Sequence, residues 1–264
     1  MLVRAVDPFL SKQLSSKYLS SCEQGYLSGC NHPSRISDYV TSRLAAKLLL
    51  WRWLQLSPVA AKELALYGLP ARPPKLYLHQ GILNEFHVSV SHSKGLVLVG
   101  IADSQPFGID IEHISGHDWT AIFAFMRWPL PIPPDHWQMD QYCCCVWAIY
   151  EAGFKLFGGA VVQADFRLLS IDTPADCTVI SGFPYSFTAS FSTLTFAGEG
   201  LVSSDWVIAV AMEPLRSTDD SLFDGNTHAD VSCATVHPMN YPFPLNPKDP
   251  CHPNLSCIES HPIQ

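Results

Sequence analysis

Residues 86–112, FHVSVSHSKGLVLVGIADSQPFGIDIE, leave this chain little freedom in what it can form locally. Phe86, Val88 and Val90 alternate with His87, Ser89 and Ser91, the period of two expected of a half-buried strand. That pattern puts His92 just past a strand end. Ser93, Lys94 and Gly95 supply turn chemistry, residues 96–101 read as a second, fully buried strand, and residues 103–106 signal another turn. A third strand follows in Gly108-Ile109-Asp110-Ile111-Glu112. Side chains alternate across a strand, so Asp110 and Glu112 share one face while Ile109 and Ile111 take the other. Two carboxylates on one face suit a hard cation such as Mg2+, which takes carboxylate oxygens and keeps several waters. Such a pair also fits the solvated face of an edge strand, and a His in a Ser-rich turn also fits a surface loop. A downstream element decides the direction. In residues 147–155, WAIYEAGFK, Glu151 and Lys155 stand at i, i+4 on one helix face. Alone they would be an ordinary ion pair worth about 0.2–0.5 kcal/mol.

Ser91-His92-Ser93, Gly108-Ile109-Asp110-Ile111-Glu112 and the Trp147 to Lys155 segment occur in one order and at fitting separations. Together they resemble the motifs of the 4′-phosphopantetheinyl transferase superfamily, in its larger single-chain (surfactin-synthetase-activating) type. The likeness covers about residues 35–212. It implies an α+β fold of two pseudo-symmetric half-domains, each a small, mainly antiparallel sheet packed on a long helix, with the active site in the cleft between them. The N-terminal half would be residues 1–103 and carry a basic coenzyme A segment. The C-terminal half, residues 104–214, would carry the metal and the catalytic helix. By the same resemblance Asp110, Glu112 and Glu151 hold Mg2+, and Glu151, Lys155 and His92 are catalytic. Arg35, Arg43, Lys47, Lys75, Ser91, His92 and Lys155 are the implied coenzyme A contacts. Three departures stand out: Ser42 replaces a usual Gly, Tyr150 replaces a usual Lys, and a proline-rich crossover replaces the loop that touches the carrier protein.

The rest of the chain adds context. A length of 264 residues with 47% hydrophobic content can build one larger domain or two small ones. No apolar run has the length of a membrane span and no signal-peptide layout is visible, so a cytoplasmic location is expected. The nine cysteines form no C-x-x-C pattern and read as reduced structural thiols. A net charge of −8 argues against a nucleic-acid binder. Residues 1–75 are nevertheless cationic, with ten Lys and Arg against four Asp and Glu, which suits a small polyphosphate.

Periodicity predicts a helix over residues 37–56 capped by Ser37, a second short helix from Pro58 to Gly68, and a proline connector over 69–74. A short strand over 75–78 follows. A helix is predicted over 118–128, ended by Pro129, Pro131, Pro133 and Pro134, and a long one over 140–157, stopped by Gly158-Gly159. Further strands are predicted over 165–171, 185–191 and 206–211. Residues 1–33 give only loose helical spacing. Residues 215–264 are polar and proline-rich without periodicity and are expected to be a disordered tail; its His228, His237, His252 and His261 lack metal-ligand spacing.

The expected activity is transfer of the 4′-phosphopantetheine arm of coenzyme A to a serine of an apo acyl or peptidyl carrier protein, releasing 3′,5′-adenosine bisphosphate. Such a chain would serve fatty-acid, polyketide or nonribosomal-peptide biosynthesis, as a monomer and without nucleic-acid or membrane partners. Two alternatives use the same residues: a Mg2+-dependent phosphate-ester hydrolase, and a non-catalytic binder of coenzyme A or of a carrier.

Overall fold

The computed structural model describes residues 1–55, 63–68, 73–78, 81–134, 137–174 and 182–213. All of them belong to one unit, Met1–Phe223. The expected tail, most of the helix expected from Pro58 and part of the proline connector lie outside the described residues.

The described elements are β1 (Leu2–Arg4), α1 (Pro8–Tyr18), α2 (Ser21–Ser28), α3 (Pro33–Leu54), β2 (Ala65–Tyr67), β3 (Lys75–Leu78), β4 (Gly81–Ile82), β5 (Phe86–Ser93), β6 (Leu96–Asp103) and β7 (Phe107–His113). They continue with α4 (Trp119–Met126), α5 (Met139–Leu156), a 3-10 turn, β8 (Phe166–Asp172), β9 (Phe183–Phe191), β10 (Leu194–Val202) and β11 (Trp206–Met212). The fold is α+β. Its sheets are antiparallel, with strand orders β1-β6-β5, β7-β11-β10-β9-β8 and β2-β3-β4. No described helix is long and apolar enough to cross a membrane.

Helix α3 begins four residues before the predicted cap. Pro33 fills the first turn, where a missing N–H costs nothing. Ser37 therefore sits inside the helix, buried, and its hydroxyl donates to the Val6 carbonyl. Val40, Ala46 and Leu50 are fully buried, and Ala46 and Leu50 pack with Leu66, Leu76, Val88 and Val97. Residues 65–67, expected in a helix, are instead a strand paired with β3: Leu66 meets Leu76 across the ladder, and that burial outweighs local helix preference.

Helix α5 lies on β7 and β11. It buries Ile149 and Ala152 completely, and Leu156 nearly so, in a core shared with β9, β10 and β11. Two glycines permit the closeness. A Cβ on Gly108 of β7 would meet the Ala152 carbonyl and the Leu156 nitrogen of α5. Gly153, which costs about 1 kcal/mol relative to Ala as a helix former, leaves room for the Phe191 and Phe196 rings.

The two larger sheets meet along β5 and β7. These strands run parallel without a backbone ladder, and serine hydroxyls join them instead. The Ile109 N–H donates to Ser89 Oγ at 3.0 Å, Ser91 Oγ donates to Asp110 Oδ1 at 2.6 Å, and Ser93 Oγ donates to Glu112 Oε1 at 2.7 Å. On the other face, Ile109 and Ile111 form an apolar cluster with Leu98 of β6. Ile111 is fully buried, worth about 1.5–3 kcal/mol of transfer free energy. Apolar contacts thus fix one face of the junction and leave the other for polar groups.

Candidate active site

The polar face of that junction gathers Ser91, Asp110, Glu112, Glu151 and Lys155. Asp110 is buried at 3% exposure. Its Oδ1 accepts from Ser91 Oγ and from Lys155 Nζ, each at 2.6 Å, and the same ammonium donates to the Ile109 carbonyl at 3.2 Å. Its Oδ2 is also buried and has no hydrogen-bond partner among the described residues. A bare carboxylate oxygen away from water is costly unless something positive meets it.

The electrostatics agree with this crowding. Burial pushes the Asp110 carboxyl above the ordinary range; Lys155 and Ser91 pull the other way, and Glu112 adds to the rise. Burial also raises Glu151, Lys155 opposes, and the charges of Asp110 and Glu112 raise it further. The three carboxylates therefore lie within reach of one another's fields. They do not form a ready-made cage, since no cluster of three His, Cys, Asp or Glu positioned for a metal occurs among the described residues. Asp110 Oδ2, Glu112 and Glu151 are hard oxygen donors of the kind a divalent cation takes, and they would have to draw together to share one.

Two cavities adjoin the site. One of about 240 Å3 is lined by Ser89, Glu151 and Lys155, with Pro73, Pro74, Gly158 and Gly159 around them. The other, about 360 Å3, shares Lys155, Pro73, Pro74 and Gly158 and adds Lys75 and His87. Lys75 is exposed at the start of β3, so two ammonium groups border one connected space.

The remaining expected site residues are spread out. His92 falls within β5, is largely exposed, and has Nδ1 3.9 Å from Asp38 Oδ2. Arg35 is exposed in the first turn of α3. Arg43 lies over the Tyr39 ring at 4.0 Å and donates to Ser42 Oγ at 3.1 Å. Lys47 turns inward: it pairs with Glu23 at 2.8 Å and donates to the Tyr18 carbonyl at 3.0 Å, in a buried setting that serves the packing of α2 on α3. His117 was missed from sequence; its Nε2 lies 3.1 Å from Glu112 Oε1. Ser89 was legible only as part of the alternation, and Ser93 only as turn chemistry and the end of Ser91-His92-Ser93; their shared parity with Ser91 is the signal that all three hydroxyls face β7.

Tyr150 belongs to the core. It is 1% exposed and packs against Trp128, Trp147, Phe154, Phe166 and Phe191. Burial and then the Glu151 charge raise its phenol to about 12. A lysine here would place an ammonium among aromatic rings. Tyr150→Lys is accordingly expected to cost about 3 kcal/mol of stability, read as a lower denaturant midpoint. An unchanged midpoint would mean the position opens to solvent.

No protein-family model matches the chain, and no curated protein matches it.

Proposed function

We propose that the chain is a 4′-phosphopantetheinyl transferase, moving the phosphopantetheine arm of coenzyme A to the serine of an apo acyl or peptidyl carrier protein. The observation that carries this reading is Asp110, with Oδ1 held by Ser91 and Lys155 and Oδ2 left bare beside Glu112 and Glu151. In this reading the sheet on α3 and the sheet on α5 are two pseudo-symmetric halves, and the cavities beside Lys155 are the cleft between them.

The reaction needs charge neutralised on a diphosphate, an aligned hydroxyl and a group to take its proton. When bound, Mg2+ would neutralise the diphosphate and act as a Lewis acid, held by Asp110, Glu112 and Glu151. Ser91 keeps the Asp110 carboxylate in one rotamer through a short hydrogen bond. Glu151 is the base for the carrier serine, because burial raises its proton affinity above that of an ordinary glutamate and makes it the stronger base. Lys155 reaches the cavity and supplies positive charge to the departing bisphosphate. Lys75 stands where the nucleotide end would lie, exposed Arg35 would meet phosphate oxygens, and His92 would do so by turning from Asp38. Arg43 approaches from its stack on Tyr39. Lys47 is left out of this assignment, since Glu23 already holds it.

The test is intact-mass analysis of a panel of apo carrier proteins incubated with coenzyme A and Mg2+. The expected result is a gain of one phosphopantetheine arm on at least one carrier. Adenosine bisphosphate or phosphate release with no gain in carrier mass would instead identify a hydrolase. Coenzyme A binding with neither would identify a binder.

A further inference from the structure

Away from the carboxylates, a second groove follows the open edge of the five-stranded sheet. β8 ends that sheet, and among the described residues no strand pairs with its outer edge. Six consecutive residues, 166–171, line a cavity of about 670 Å3. Neighbouring strand residues point to opposite faces, so a cavity touched by all six runs along the backbone edge. Its far wall is the crossover after α4, including Arg127, Trp128, Pro129 and Pro131. The volume falls in the roughly 300–1,000 Å3 range of ligand sites. A seven-residue edge at about 3.3 Å per residue is about 20 Å long, the proportion of a short extended peptide.

Both walls are tied to one core, so the groove is preformed. Trp128 Nε1 donates to the Gln163 carbonyl at 3.3 Å, and its ring lies 5.0 Å from Phe166 and 4.8 Å from Tyr150. The charge is one-sided: Arg127 and Arg167 line the groove, and no Asp or Glu does. Both arginines are exposed, and neither forms an ion pair with a described residue. On a chain of net charge −8, this is a local cationic spot. Leu169 is 57% exposed at the register shift between Leu168 and Ser170. That bulge interrupts the edge and disfavours open-ended sheet growth, leaving room for one short strand.

We propose that this groove binds an extended, acidic polypeptide segment of a partner protein. The segment adds as a strand to β8, with its carboxylates on Arg127 and Arg167 and its apolar side chains against Trp128, Pro131 and Leu168. The inference does not depend on the transferase reading.

Fluorescence anisotropy of the full chain with a labelled octapeptide of alternating Val and Glu tests it. The expected result is saturable binding below about 1 mM peptide, with slowed amide exchange confined to residues 166–172 and the crossover. Arg127→Ala with Arg167→Ala should weaken it about tenfold, the size of two partly exposed charge contacts, while circular dichroism stays unchanged. Equal binding of a Val-Lys octapeptide would remove the charge argument. Equal binding of a backbone N-methylated Val-Glu peptide would remove strand addition. Failure to bind at that concentration, or a dimer in sedimentation that Leu169→Asp dissociates, would overturn the proposal, the latter by giving the edge to a second copy of the chain.

Discussion

Glu151→Gln is expected to slow transfer by about 10²–10⁴-fold, the usual range for losing a positioned base, while coenzyme A binding stays within about threefold. The substitution keeps side-chain volume and removes only the charge and the proton-accepting capacity. The pH dependence separates this role from a merely structural one. The Glu151 proton affinity is raised by burial and by the charges of Asp110 and Glu112, over the opposition of Lys155. Its base form is therefore lost, as pH falls, at a higher pH than for an ordinary glutamate. Bound Mg2+ would oppose that rise, so the test is the limb itself: an acid limb in the rate profile should be present in the parent and absent from the residual activity of the variant. Transfer rates by chromatography of the holo carrier, with calorimetry for coenzyme A, make the comparison. Transfer at the parental rate would remove Glu151 from the mechanism.

Local chemistry explains which parts of this molecule could be read from sequence. The alternation around Val88 and Ile109 is a period-two pattern with burial on both sides of it, and the strands appear where that pattern predicts them. The helix bearing Glu151 and Lys155 was legible for the same reason, since its apolar spacing and its Gly158-Gly159 stop are both local signals. Strand β10 was not. Its Gly198 and Gly200 weaken any strand pattern, yet they are small because Phe187 and Tyr185 of β9 lie across them, and a Cβ at either would meet those rings. Helices α1 and α2 were equally hidden. Their buried residues include Ser11, Ser15 and Glu23, so no apolar stripe marks them. Glu23 closes a capping box with Ser20 at the start of α2, but it also holds partners far along the chain, Lys47 and the Leu66 N–H. The direction in which Lys47 points was illegible for that reason: a cation at i+4 from Arg43 looks like a shared surface patch until Glu23 is placed beneath it.

The site itself divides along the same line. That Asp110 and Glu112 share a face follows from strand geometry alone. That Ser91 holds Asp110 requires two strands from different sheets to lie side by side, a tertiary fact with no local signature. Gly108 connects the two levels. In sequence it is only a strand glycine, and in the fold it is the point where α5 presses close enough for Lys155 to reach Asp110. The motif glycine and the ion pair are consequences of one close approach.

That ion pair leads to the second large expected effect, for Asp110→Asn in the metal-free and metal-loaded protein. Burial raises the Asp110 carboxyl despite Lys155 and Ser91, so the folded chain holds this proton more tightly than the unfolded chain does. The stability it contributes is therefore full below the unfolded value of about 3.9 and is lost as pH rises through the raised folded value. As pH rises through that raised value, the metal-free chain comes to carry a buried anion that burial penalises. Asparagine keeps an oxygen for Ser91 and Lys155 and places a neutral amide at the bare Oδ2. The metal-free variant should accordingly melt above the parent at pH 7.5, with the gap closing toward pH 4. Magnesium reverses the order. A ligand at about one hundred times its Kd stabilises by about 2.7 kcal/mol, a gain the parent should show and the variant should lack. Transfer should fall about 10³-fold, in line with the several kcal/mol that a bound divalent ion supplies. Scanning calorimetry with a chelator and with MgCl2 reads both effects. A lower melting point for the metal-free variant would make the pair with Lys155 a net stabiliser, and an equal gain from magnesium in both proteins would put the ion on other ligands.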